Sequence, residues 1–97
     1  SLDMETIRRI IRQHAAEYKY CYEKQLNVKR DLAGKVTAKF TISGNGSVIA
    51  ATVEESTMGD REVENCLVDK IKRWVFPEPK GGGIVIVKYP FVFKASD

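Results

Sequence analysis

The chain has 97 residues, of which 43% are hydrophobic and 30% are charged, and its net charge at pH 7 is +3. This length predicts a single domain, residues 1–97, with little room for a separate catalytic subdomain. Disorder is not expected, because the chain holds enough apolar surface to offset its conformational entropy. The basic excess is small and scattered, so it gives little support to binding of nucleic acid or of a membrane surface.

No apolar run approaches the roughly 20 residues that a membrane-spanning helix needs. The sequence begins at Ser1 and carries no pattern of a secretory signal peptide. We therefore expect the chain to be part of a longer protein whose export signal or membrane anchor lies upstream.

The first predicted element is a long amphipathic helix from Met4 to Gln25. Asp3 stands at its N-cap position, where a carboxylate can accept hydrogen bonds from the first free amides. An apolar stripe follows helical spacing, is extended by Leu26, and consists otherwise of Ile7, Ile10, Ile11, His14, Tyr18, Cys21 and Tyr22. Because the single histidine, His14, belongs to this stripe, we predict a packed, hydrogen-bonded residue rather than a catalytic or metal-binding one.

Two strands joined by a tight turn are predicted next. The segment from Gly34 to Ile42 alternates apolar and polar side chains, with Val36 and Phe40 on the apolar face. Glycine, serine and asparagine at positions 43–47 are typical of a turn, and a second strand runs from Val48 to Glu55. The two strands form a hairpin with one solvated face.

A second helix and a third strand complete the predicted elements. Asp60 is placed at the N-cap of this helix, and prolines shortly after Trp74 prevent its continuation. Three glycines then lead into a strand from Ile84 to Lys94. We expect Trp74 to be buried where the helix meets the sheet, near Phe40 and the aromatic face of the third strand.

The element order predicts an α+β fold, α-β-β-α-β, with a three-stranded antiparallel sheet. A right-handed crossover places the third strand beside the first, so the strand order is 2-1-3 and both helices cover one face. Strands two and three are then edges. Pro90 fits an edge strand, because proline cannot donate a hydrogen bond to a neighbouring strand.

Cys21 and Cys66 lie on the apolar sides of the two predicted helices, which must pack near each other on one face of the sheet. Outside the cytoplasm they would form a disulfide that closes a loop of about 45 residues and stabilises the fold by about 4 kcal/mol through chain entropy. Two buried free thiols are the alternative. The spacing does not fit a redox-active Cys-x-x-Cys pair, and two cysteines are too few for a zinc site.

The sequence contains no catalytic or cofactor-binding motif. Its glycine clusters do not lie between a strand and a helix with the spacing of a phosphate-binding loop. The carboxylates of Asp60, Glu62 and Glu64 are explained by favourable interaction with a helix N-terminus, and no nucleophile is paired with a base. We predict a protein that is not an enzyme and binds no cofactor or metal.

Several motifs together resemble a known family. They include Cys21-Tyr22-Glu23, Gly34-Lys35-Val36, Phe40-x-Ile42-x-x-Asn45-Gly46-x-Val48, Ser56-Thr57, Val63-x-x-Cys66, Trp74-x-Phe76-Pro77-x-Pro79, Gly81-Gly82-Gly83 and Tyr89-Pro90-Phe91-x-Phe93. This set is similar to the AgmX/PglI C-terminal domain family of the wider TonB C-terminal-like group. The resemblance favours the disulfide. It implies a periplasmic domain of an inner-membrane-anchored bacterial protein, which in some members belongs to the gliding-motility machinery.

The resemblance also implies how such a domain acts. TonB-type domains bind an extended peptide of an outer-membrane partner by strand addition and transmit force across the periplasm. Here the docking strand would be 84–94, with candidate contacts at Ile84, Val85, Ile86, Val87, Lys88, Tyr89 and Val92. Pro90 departs from the pattern and would shorten the usable edge. The alternative is a structural self-assembly domain whose edge strands pair in a homodimer.

Overall fold

The computed structural model describes residues 2–95, so the ends of the predicted domain at Ser1, Ser96 and Asp97 lie outside it. The elements follow in the order α1 (Met4–Gln13), α2 (Ala15–Leu26), β1 (Gly34–Ile42), β2 (Val48–Ser56), α3 (Arg61–Ile71) and β3 (Val85–Phe93). Within residues 2–95, no helix is long and apolar enough to span a bilayer.

The sheet has the predicted topology. β1 is central and pairs antiparallel with both neighbours, which gives the strand order β2-β1-β3 and confirms the predicted fold class. Alternate residues of β1 separate the two faces of the sheet, because Val36 and Phe40 are buried whereas Lys35 and Lys39 are exposed. The buried face joins the helices in one hydrophobic core. The other face, here named the open face, meets solvent.

The helix predicted from Met4 to Gln25 is divided in two at His14, so the prediction of one continuous helix is wrong. At His14 the backbone has φ −98° and ψ 14°, and its amide donates to the carbonyl of Ile11 (2.9 Å), three residues back instead of four. The His14 ring stacks on Trp74 with ring centroids 4.7 Å apart. Helical spacing could not reveal this contact, because Trp74 is far away in the chain.

Trp74 is buried beyond the end of α3, with 1% of its surface exposed. Its ring faces the aromatic side of β3, as predicted, at 6.3 Å from Phe91 between centroids. Phe40, which we expected beside Trp74, stacks on Phe76 at 5.8 Å. The segment after α3 therefore fills the core with two aromatic rings, one on each side of the exposed Val75.

The turn between β1 and β2 holds this segment in place. Gly46 has φ 91°, a left-handed conformation that favours glycine, and a Cβ there would collide with the carbonyl oxygen of Phe76. The Phe76 amide donates to the Gly46 carbonyl (2.8 Å), and Ser47 forms an isolated antiparallel bridge with Val75. The outer side of the chain is thus paired immediately before β2 begins.

Candidate functional site

β3 is an edge strand along its full length. It pairs with β1 through an unbroken register that runs from Gly34↔Phe93 to Ile42↔Val85. Within residues 2–95, no strand pairs with its outer side. The backbone groups that point outward from β3 are therefore available to another extended chain.

The hydrogen bonds of Lys35 reveal which backbone groups of β3 point outward. Its amide donates to Thr57 Oγ1 and its carbonyl accepts from the Thr57 amide, both at 2.8 Å and both on the β2 side. The pair Lys35↔Val92 is therefore not hydrogen-bonded, and the Val92 amide and carbonyl face away from β1. Because this orientation repeats every second residue, Ile86 and Lys88 also direct their amides outward.

Pro90 belongs to the same outward-facing set. Its nitrogen points away from β1, so the missing N–H costs the sheet no hydrogen bond and the proline fits the edge as its sequence position indicated. The outer side consequently offers amide donors at Ile86, Lys88 and Val92, with a gap at position 90. Carbonyl acceptors are uninterrupted, since proline keeps its C=O.

The predicted contact residues divide between the two faces of the sheet. Ile86 and Val92 lie on the open face with 57% and 69% of their surfaces exposed, and Ile84 and Lys88 are also exposed. The remaining three, Val85, Val87 and Tyr89, lie on the covered face and direct their backbone groups toward β1. The structure thus brings four of the seven side chains together on an accessible surface.

A groove of about 300 Å³ flanks the C-terminal half of β3 on the helix side. Tyr22 and Leu26 of α2 form one wall and Phe93 of β3 forms the other, with Lys19, Glu23, Val92 and Lys94 at the rim. Tyr22 and Phe93 stack with 5.3 Å between ring centroids. Sequence reasoning did not find the groove, although the apolar Leu26 near the end of the helical stripe was a signal for it.

α2, which supplies the groove wall, is joined to α3 by covalent and polar contacts. The structure contains a disulfide between Cys21 and Cys66, and Cys21 is fully buried. Asp60, the N-cap of α3, accepts from Gln25 Nε2 of α2 (3.2 Å) and from the Val63 amide (3.0 Å). Its buried carboxylate also lies 3.1 Å from Lys29 Nζ. Burial alone would raise the pKa of Asp60, but these contacts more than offset it, so the pKa lies below its ordinary value.

His14 is packed and hydrogen-bonded, in the environment predicted for it. The Glu17 carboxylate lies 2.6 Å from His14 Nδ1 and accepts from Trp74 Nε1 at 3.0 Å. The hydrogen bond with His14 is the main reason that the pKa of Glu17 lies below its ordinary value. Among residues 2–95, no three histidine, cysteine or acidic side chains are grouped so that they could hold a metal ion.

Comparisons with known proteins bear on the fold. No protein-family model matches the sequence, and no curated protein matches it either. The TonB C-terminal domain of Helicobacter pylori is similar over 100% of this chain and 87% of its own, at 23% identity and a TM-score of 0.72. That of Pseudomonas aeruginosa is similar over 75% of this chain and 76% of its own, at 24% identity and 0.58. This protein therefore has the fold of a TonB C-terminal domain.

Proposed function

We propose that this chain is a non-enzymatic, TonB-like interaction module of the bacterial periplasm, which docks an extended peptide of an envelope partner on the edge of β3. The observation that carries the proposal is the outer side of β3, where outward amides lie beside the exposed apolar side chains of Ile86 and Val92. Strand addition draws its affinity from backbone hydrogen bonds and its selectivity from alternate side chains.

The gap at Pro90 divides the edge into two stretches. The first stretch, Ile86 to Lys88, can exchange donors and acceptors with an added strand. Beyond Pro90, Val92 supplies one further donor beside the groove lined by Tyr22 and Leu26. A peptide that reaches this groove gains apolar burial where the backbone contribution is reduced by the proline.

The cellular setting of the proposal follows the AgmX/PglI resemblance. The single domain 1–97 would belong to an inner-membrane-anchored protein, and its partner would be an outer-membrane or periplasmic protein, as in TonB-like energy transduction or gliding motility. Force applied through the docked peptide would act on β3 and the helix layer. The Cys21–Cys66 disulfide keeps α2 and α3 together under such a load.

The β3 edge also supports a second candidate, a homodimer formed by antiparallel pairing of β3 with its counterpart in another copy. The exposed Ile86 and Val92 would meet their equivalents on the open face. Sedimentation across a concentration series distinguishes the candidates. A monomer throughout the series supports peptide docking, whereas a concentration-dependent dimer supports self-assembly.

Amide chemical-shift mapping tests peptide docking directly. Isotope-labelled protein is titrated with a candidate peptide from an outer-membrane partner, and we expect the largest shifts at the outward amides of Ile86, Lys88 and Val92. Affinity should be about micromolar, or −8 kcal/mol, and tethering to the rest of the protein would raise the effective concentration. Shifts confined to the helices or to the turn at 43–47 would contradict the proposal.

The variant Pro90→Val tests the proposal in the opposite direction, because it should strengthen peptide binding. It restores the missing outward donor without changing a hydrogen bond to β1, so peptide binding should tighten by about two- to tenfold. Unchanged affinity would mean that the added strand does not extend past position 90.

A further inference from the structure

Two lysines face each other across the open face of the sheet. Lys39 of β1 is directly opposite Lys88 of β3, and both side chains are exposed. This pair has the same orientation as Lys35↔Val92, so it is not hydrogen-bonded and its side chains lie at the closest cross-strand spacing. Like charges in this position destabilise a sheet unless an anion lies near them.

One carboxylate in the described part of the chain forms an ion pair with a lysine of this facing pair. Glu54 Oε1 of β2 lies 3.0 Å from Lys88 Nζ, although β2 and β3 are separated by β1. The side chains of Lys88 and Glu54 are 59% and 36% exposed, so solvent weakens their ion pair. No ion pair joins Lys39 to another residue of 2–95. Of the two facing cations, only Lys88 therefore has an anionic partner.

We propose that the peptide that docks on β3 carries an acidic side chain beside Lys88 on the open face. This inference rests on the docking function proposed above and specifies the chemistry of the partner. A side chain directly opposite Lys88 on an added strand has its Cβ about 5 Å from that of Lys88. In the complex, Lys88 would be nearer to the peptide carboxylate than to Glu54 on β2. Glu54 could then form an ion pair with Lys39 on the adjacent strand, β1.

The exchange raises the number of ion pairs from one to two, which is the physical reason for selectivity. The other face of the added strand meets the apolar groove of Tyr22, Leu26 and Phe93. The partner sequence is accordingly an extended segment that alternates, with an acidic residue on the open side and apolar residues on the helix side.

Three short synthetic peptides of alternating valine and threonine test this inference. They differ at one central position, which holds glutamate, glutamine or lysine. We expect the glutamate peptide to bind about two- to fivefold more tightly than the glutamine peptide, and the lysine peptide to bind most weakly. The difference should shrink as ionic strength rises, because the charges are exposed.

The variant Lys88→Glu should reverse the order, so that the lysine peptide binds best. The control is Lys72→Glu, which makes the same change in net charge. Lys72 lines a different groove, between β2 and α3, so this variant should leave the order of the three peptides unchanged. The double variant Glu54→Lys with Lys88→Glu keeps an ion pair on the open face and should also prefer the lysine peptide.

The outcomes separate this inference from the function on which it rests. Charge-dependent affinity with reversal by Lys88→Glu supports both. Equal affinity for all three peptides, with shifts still at Ile86 and Val92, overturns the acidic preference and leaves docking intact. An absence of shifts along β3 with every peptide overturns both.

Discussion

The two edges of the sheet differ in how they meet solvent. β2 and β3 are both nine residues long and both flank β1. The register of β2 with β1 shifts twice, and β2 carries two adjacent glutamates, Glu54 and Glu55. The residue just before it, Ser47, forms a bridge with Val75. β3 has an unbroken register, and Pro90 is the one interruption of its outward donors.

Irregular register, charge and coverage are ways in which proteins prevent an edge from pairing with other chains. β2 combines all three. β3 has a proline and one lysine, Lys88, and exposes the apolar side chains of Ile86 and Val92, whereas β2 exposes Ile49. The two edges are therefore protected to different degrees, which is the reason that the proposed docking site is on β3.

Removing the aromatic support beneath β3 should have the largest effect. Trp74→Ala deletes the ring that lies against Phe91 and His14, and should lower the free energy of unfolding by about 3–5 kcal/mol. Chemical denaturation measures the free energy of unfolding. Hydrogen exchange should show that amides of β3 lose more protection than amides of β2. Val75→Ala, at the exposed neighbour, is the control, and a cost below about 1 kcal/mol for Trp74→Ala would contradict its core role.

Loss of the disulfide should come next and should spare both edges. Replacing Cys21 and Cys66 with serine should lower stability by up to about 4 kcal/mol, because the unfolded chain regains the freedom of the closed loop. Thermal unfolding measures the loss, and amide spectra should show an intact sheet, since the bond joins helices. Two free thiols in mass spectra of periplasm-expressed protein would refute the bridge itself.

A matched pair of substitutions compares the edges directly. Ile86→Thr on β3 should weaken peptide binding about two- to fivefold, whereas Ile49→Thr on β2 should leave it unchanged. The two isoleucines are 57% and 62% exposed, so the changes remove similar accessible surface. Ile86→Pro also removes an outward donor and should cost about tenfold. Equal effects of the two threonine variants, measured by titration, would mean that β3 is not the preferred edge.

Acid should have the smallest effect and should act at the start of α3, where Asp60 is the N-cap. Because the pKa of Asp60 in the folded protein lies below its ordinary value of 3.8, its stabilising contribution is complete above that value and is lost as pH falls through the folded pKa. Asp60→Asn keeps an oxygen that can accept from the Val63 amide but removes the negative charge beside Lys29. It should therefore lower stability by about 0.5–1 kcal/mol at neutral pH and flatten the acid dependence. Thermal melts of both proteins at a series of pH values below about 5 measure how stability falls with acid. An unchanged dependence would contradict the role assigned to Asp60.

The sequence by itself determined the three strands, α3 and the order in which helical and strand segments follow. Alternation identified β1 from Gly34 to Ile42 with the bounds that the structure has, and Asp60 was recognised as the N-cap of α3. The strand order 2-1-3 followed from the handedness of the crossover. These features depend on neighbours in the chain or on general rules of connection, so they can be derived without knowing distant contacts.

Tertiary structure alone decided the features that distinguish the edges. His14, at which the first helix is divided, stacks on Trp74, and Val75 forms its bridge with Ser47 in the turn before β2. The register that sets Lys39 against Lys88, and the groove between α2 and β3, require side chains that are far apart in the chain. Local pattern carries no information on such pairs, because their geometry is set by how the whole core packs.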